Sequence, residues 1–241
     1  MAKIRIGCSG FNYRHWQDRF YPAGLAQRKW FEHYCTVFNT VELNVTFYRL
    51  PLPSTFDKWH DETPARFAFS LKGSRFITHV KRLKDPAQPL ERFFEGATRL
   101  KKKLKTVLWQ FPPSFRADPE RFVHFLEHLK QYPVRHCFEF RHESWLSGEV
   151  IDLCRRHKAG LCMADWPEFL DDLPVTSNLV YARRHGTGGR YNSCYTGEEL
   201  RRDARRIKKW AGSGKDVFLY FNNDAYGYAP RIAQQLMRML P

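Results

Sequence analysis

Glu139 and Arg141 stand two residues apart in the run Phe138-Glu139-Phe140-Arg141. Strand side chains alternate between faces, so the two phenylalanines point one way and the two charges the other. A buried face carrying a glutamate and an arginine must line a polar cavity or pair its charges internally. Glu42 repeats the pattern between Val41 and Leu43, and Lys72, Asp165, His185 and Asn222 close other strand-like runs. Two carboxylates on facing strands suit acid/base hydrolysis of a glycoside. Carboxylates with a histidine suit a divalent metal, with His185 the nitrogen ligand placed at a strand end. Lys72, Arg141 and His185 together suit a phosphate or carboxylate ligand without metal. Each group also has a purely structural reading. Glu139 and Arg141 can form an ion pair, Lys72 can partner a carboxylate, His185 can cap the loop at Gly186, and Asp165 can anchor a helix.

The segments that must position these groups alternate along the chain. Strand-like runs cover 4–10, 39–46, 67–73, 107–113, 138–141, 160–165, 178–186 and 216–223. Helical spacing covers 27–38 (Trp30, Phe31, Tyr34, Phe38), a stretch starting at Ser54 as N-cap, 90–103, 119–131 (Phe122, Phe125, Leu126, Leu129), 150–157, 198–210 and 230–240. The pattern is weaker over 167–177. Eight strands alternating with helices predict an α/β fold: a single-domain (β/α)8 TIM barrel over 1–241, with eight parallel strands and outer helices. The alternative, an open doubly wound sheet, would favour a G-x-G-x-x-G after the first strand, which is missing.

Barrel active sites lie at the C-terminal strand ends. That rule predicts one polar mouth holding Ser9, Glu42, Asn44, Lys72, Gln110, Glu139, Arg141, Asp165, His185 and Asn222. The loop 75–84 contributes Arg75, Lys81 and Arg82. Phe11, Tyr13, Trp16, Tyr48 and Trp145 complete an aromatic and cationic rim that could stack bases and hold phosphates, or simply pack long loops.

A chain that is 43% hydrophobic and 27% charged is globular in composition. Its 40 Lys and Arg against 25 Asp and Glu leave a net charge of +15. That makes a basic protein with affinity for polyanions. The basic runs at 101–105 and 201–209 read as solvated helix faces. No apolar run approaches the roughly 20 residues of a membrane span, which predicts no membrane partner. The N-terminus enters a strand pattern directly, without a signal peptide. The cysteines, residues 8, 35, 137, 154, 162 and 194, form no C-x-x-C pair, which points to reduced thiols and a cytoplasmic protein.

Eight stretches in order resemble the YecE-like family, also called domain of unknown function 72. They are IGCSGFNYRHW (6–16), FNTVELNVTFYRLP (38–51), FAFSLKGSRFITHVKRL (67–83), LWQFPPSF (108–115), FEFRHESW (138–145), MADWP (163–167), YARRHG (181–186) and YFNNDAYGYAP (220–230). Phe11 stands where the family more often has tryptophan. The resemblance implies a TIM barrel, in agreement with the strand count. Its barrel is similar to those of metal-dependent endonucleases and sugar isomerases, which suggests nucleic-acid processing by analogy of fold alone. The motif positions it shares with the polar mouth are Glu42, Tyr48, Lys72, Glu139, Arg141, His142, Trp145, Asp165, His185, Asn222 and Asn223.

The expectation is therefore an acid/base, hydrolase-like pocket for an anionic, phosphate-bearing substrate, nucleic acid included. Glu42, Glu139, His185 and Asp165 are the catalytic candidates. Tyr48, Lys72, Arg141, His142, Trp145, Asn222 and Asn223 are the substrate-binding candidates. No cofactor is required, and a divalent metal is compatible with the donor set. A non-catalytic nucleic-acid-binding barrel and a two-carboxylate sugar-active hydrolase are the alternatives.

Overall fold

Short apolar strands with small or polar ends, each followed by an amphipathic helix, favour parallel pairing because the helix carries the chain back to the start of the next strand. The structure, a computed structural model, describes residues 2–240. Eight strands follow this scheme: β1 Ile4–Cys8, β2 Thr40–Leu43, β3 Ala68–Lys72, β4 Leu104–Phe111, β5 Arg135–Phe140, β6 Gly160–Ala164, β7 Leu179–Arg184 and β8 Asp216–Phe221. The helices are α1 Trp30–Val37, α2 Val45–Tyr48, α3 Pro53–Asp61, α4 Ala87–Ala97, α5 Pro119–Leu129, α6 Gly148–Arg156, α7 Gly197–Gly212 and α8 Tyr228–Arg238. The strands form one sheet in the order β1-β8-β7-β6-β5-β4-β3-β2. A parallel bridge from Ser9 to Glu42 joins the two ends of that order. This is the (β/α)8 barrel. Between β6 and β7 the connecting helix is reduced to one turn, Glu168–Leu170.

The chain divides into two compact units. Unit 1 comprises the chain up to Glu42, Met163–Asp172 and everything from Asn178 onward. In it β8 pairs with β1 (Gly7 opposite Tyr220) and with β7 (Arg183 opposite Tyr220). Its core includes the fully buried Trp16, Trp30, Tyr21, Tyr34 and Phe38. Helix α7 opens on a capping box, with Thr196 accepting from the Glu199 amide and Glu199 accepting from the Thr196 amide.

Unit 2 comprises Leu43–Cys162 and Leu173–Ser177. Here β4 pairs with β5 in a register that sets Gln110 beside Glu139. Phe111, Phe122, Phe138, Phe140 and Trp145 form its aromatic core. Asp118 and Ser147 cap α5 and α6 through side-chain oxygens that accept amide N–H bonds.

Three local expectations are corrected. β2 ends at Leu43 rather than Thr46, because Asn44 takes a right-handed helical conformation and starts α2. Asn44 and Thr46 therefore do not share a strand face with Glu42. Helix α3 begins at Pro53, with Leu52 as N-cap in place of Ser54. A proline suits the first helical position, where its missing N–H costs no bond. The loop 75–84 contains a π-helical turn over Phe76–Val80.

Candidate functional site

Strand β7 organises the polar interior of unit 1. Tyr181 and Arg183 alternate along it and share the face opposite Arg184, and His185 follows directly after its end. Glu42 is fully buried and accepts four hydrogen bonds: from Ser9 Oγ (2.6 Å), Tyr181 OH (2.6 Å), and Arg183 Nε and Nη2 (3.2 and 3.0 Å). Burial, followed by the Glu42 charge, pushes the Tyr181 phenol well up, so it stays a donor. A carboxylate that accepts from one guanidinium and two hydroxyls is held firmly in place. The arrangement makes Glu42 an anchor for Arg183 and Tyr181. Arg184, on the other face, is buried against Asp203 of α7, with Nε and Nη2 donating at 2.7 and 2.6 Å.

At the C-terminal ends of β6, β7 and β8, Asp165, His185 and Asn222 come together. His185 is fully buried, and Asn222 Nδ2 donates to its Nδ1 at 3.1 Å. An Nδ1 that accepts leaves the ring proton on Nε2. Asp165 Oδ1 accepts the His185 backbone N–H at 2.8 Å, and Tyr195 OH donates to Asp165 Oδ2. Burial raises the Asp165 carboxyl above the ordinary range, although Arg184, the His185 amide and Tyr195 pull it back. Gly186 follows His185 with φ +92°, a conformation glycine adopts at little cost. A Cβ there would lie 2.7 Å from Ser193 Oγ and 3.4 Å from Asn223 Cβ. Two buried oxygens at this turn, Ser193 Oγ and Asn223 Oδ1, have no hydrogen-bond partner among the described residues, while Asn223 Nδ2 donates to Ser193 O at 2.9 Å.

Unit 2 buries a glutamate–arginine pair of its own. Glu139 is fully buried, and Arg141 donates to its Oε1 through Nε and Nη2. Cys162 Sγ lies 3.7 Å from Oε2. Lys72 is buried, its Nζ 4.2 Å from the centre of the Phe47 ring, an electrostatically favourable cation–π contact. Its carbonyl accepts from Thr46 Oγ1 at 2.6 Å. His79 meets the edge of Phe47, and burial, reinforced by Lys72, Arg75 and Arg82, lowers it to about 4.

The rim expected from the aromatics is only partly built. Tyr48 is 76% exposed, whereas Trp145 and Trp16 are fully buried. The Trp145 indole donates to Phe115 O at 2.6 Å and stacks on Phe140, so its large apolar surface serves the core. His142 accepts the Ser144 amide and caps the turn Glu143–Leu146. Arg82 donates to Ser114 Oγ at 3.1 Å, and Lys81 pairs with Asp85 at 3.2 Å.

Tyr181, Arg183, Ser193 and Tyr195 are the residues that sequence reasoning missed. The period-two spacing of Tyr181, Arg183 and His185 was a usable signal for the first two. Nothing in the sequence marks the loop residues. No group of three or more His, Cys, Asp or Glu side chains with metal-binding placement occurs among the described residues. His124 and His128 stand four apart on α5 with rings 4.5 Å apart, an H-x-x-x-H pair that sequence reading overlooked. Within the described residues no helix is long and apolar enough to cross a membrane.

Comparison with known proteins matches this architecture across its length. The family described as "Protein of unknown function DUF72" matches residues 5–241. The UPF0759 protein YunF of Bacillus subtilis (strain 168) is 27% identical over 98% of this chain and 94% of its own. The UPF0759 protein YecE of Escherichia coli O157:H7 is 31% identical over 60% of this chain and 53% of its own. The crystal structure of a DUF72 family protein from Thermotoga maritima MSB8 superposes with a TM-score of 0.86 at 32% identity, covering 99% of both chains. A D-psicose 3-epimerase from Clostridium cellulolyticum H10, at 9% identity and a TM-score of 0.57 over 98% of each chain, shares the fold alone. With its eight motifs in order and a family match from residue 5 to the end, the chain belongs to the DUF72 family.

Proposed function

We propose that the protein is an acid/base enzyme, hydrolytic or closely related, acting on an anionic, phosphate-bearing substrate at the strand ends of unit 1. The observation that carries this reading is the buried His185 with its proton set on Nε2 by Asn222 and its backbone N–H held by the Asp165 carboxyl, which burial raises. A neutral imidazole with a fixed tautomer is suited to donate to a developing oxyanion or leaving group. Asp165, whose carboxyl is raised by burial, takes or returns the second proton through its contact with Tyr195. The net charge of +15 favours an anion. Glu42 and Glu139, each engaged by an arginine, act in this reading as charge-holding supports.

The test is turnover of a panel of nucleotides and sugar phosphates, followed by mass spectrometry, for the native chain, His185→Gln and Asp165→Asn. Each variant should keep its far-UV spectrum and lose about 10²–10⁴-fold in kcat. Native-like kcat in both variants on a turned-over substrate would overturn the assignment.

A further inference from the structure

Unit 1 carries a concave feature on its outer helical surface. A cavity of about 420 Å³ opens between the Arg19–Phe20 loop and helix α8, lined by Arg19, Tyr226, Arg231, Gln234, Gln235 and Arg238 among others. The helix packs through Ile232, Ala233 and Leu236, all buried. Arg231, Gln234, Gln235 and Arg238 recur at i, i+3, i+4 and i+7, the spacing of one helix face.

These arginines differ from three others in unit 1. Arg183, Arg184 and Arg206 each pair with a carboxylate. Arg19 instead lies over the Tyr226 ring at 5.6 Å, and Arg231 lies over the Tyr228 ring at 5.1 Å with Nη2 3.2 Å from Cys194 Sγ. No carboxylate lies within ion-pair distance of Arg19, Arg231 or Arg238 among the described residues. A solvated basic face would spread its charges outward along one helix. Here Arg19 is brought in from the first loop of the chain to the same concavity. Guanidiniums bind phosphate oxygens in a fork, and glutamine amides add donors. Arg231 and Arg238 are seven residues apart, about 10 Å along the axis, which suits more than one phosphate. Tyr226, 59% exposed, offers a ring on which a base can stack.

We infer that this groove binds consecutive phosphates, as presented by single-stranded nucleic acid or by a nucleoside polyphosphate, at a site separate from the His185–Asp165 cluster. The experiment is fluorescence anisotropy of the full chain with a labelled oligothymidylate across a salt series. An Arg19→Ala, Arg231→Ala, Arg238→Ala triple variant is compared with a control of equal charge change, Lys102→Ala, Arg202→Ala, Arg205→Ala. The groove variant should weaken binding at least about tenfold and flatten the log K against log salt slope by about 2, at roughly 0.7 for each phosphate no longer neutralised. The control should stay within about twofold of native. Equal losses in the two triples, or none in the groove triple, would overturn the inference. So would a matching loss in His185→Gln, which would move binding to the strand ends. Competition separates the sources: displacement by ATP but not by inorganic phosphate assigns a nucleoside polyphosphate, and resistance to both assigns the nucleic-acid backbone.

Discussion

Both units bury a glutamate beside an arginine, but they build the pair differently. In unit 2, Arg141 lies two residues beyond Glu139 on the same strand face, so the pair is local. In unit 1, Glu42 meets Arg183 from a strand 141 residues away, and Ser9 and Tyr181 complete its shell. A local pair is brought together by strand geometry alone. The distant one exists only once β1, β2 and β7 are assembled, so its charges are a measure of that assembly. An uncompensated buried carboxylate is expensive, and the cost rises with how fully the fold encloses it.

The largest effect should follow from breaking the distant pair. Arg183→Met should cost about 3–5 kcal/mol in urea unfolding by leaving Glu42 unpaired, and Glu42→Gln added to it should recover a large part. No recovery in the double variant would mean that packing, and not charge, makes Arg183 important. Arg141→Met should cost less, about 2 kcal/mol, since its side chain is 9% exposed and the pair reaches solvent. Equal costs at the two arginines would erase the contrast between local and assembled pairs.

Smaller effects should appear as opposite pH signatures in the two units. In unit 2, burial lowers His136 from 6.5 to about 4. Its neutral form is the stable one, so that contribution is whole above pH 6.5 and drains away as pH falls toward 4. His136→Gln should flatten this part of the stability curve, by about 1 kcal/mol at about pH 5.5. In unit 1, Asp165 is raised, so the folded state disfavours its ionised form. That cost is absent below the ordinary carboxylate value of 3.8 and builds as pH rises through the raised one. Asp165→Asn should relieve it, so its melting temperature relative to native should improve with pH. A constant offset across pH would show that Asp165 acts through its hydrogen bonds to His185 and Tyr195 alone.

Much of the architecture was legible in advance. Six strand starts fell within one residue of their place, whereas β4 and β5 begin three residues earlier, at Leu104 and Arg135. The break at Asn44 was not legible, since Val45 and Thr46 have strand propensity and only the start of α2 turns them away from it. Trp145 shows the converse case. Its position beside charged residues suggested a rim, but its ring fills the space beside Phe140. At the site, Glu42 stood out as a charge inside an apolar run, and Asp165, His185 and Asn222 as polar residues ending such runs. Tyr195 and Ser193 did not, because their loop has no periodicity and its partners lie on other strands.

The sequence by itself determined the alternation of strands and helices, the shared face of Glu139 and Arg141, and the net charge of +15. These follow from period-two and helical spacing and from counting charges, which need only near neighbours in the chain. Only the tertiary structure decided that Arg183 would neutralise Glu42, that Asn222 would set the His185 proton, and that Arg19 would join Arg231 and Arg238 in one groove. Each depends on residues far apart in sequence meeting at hydrogen-bond or ion-pair range, and that distance is fixed by closure and packing of the fold.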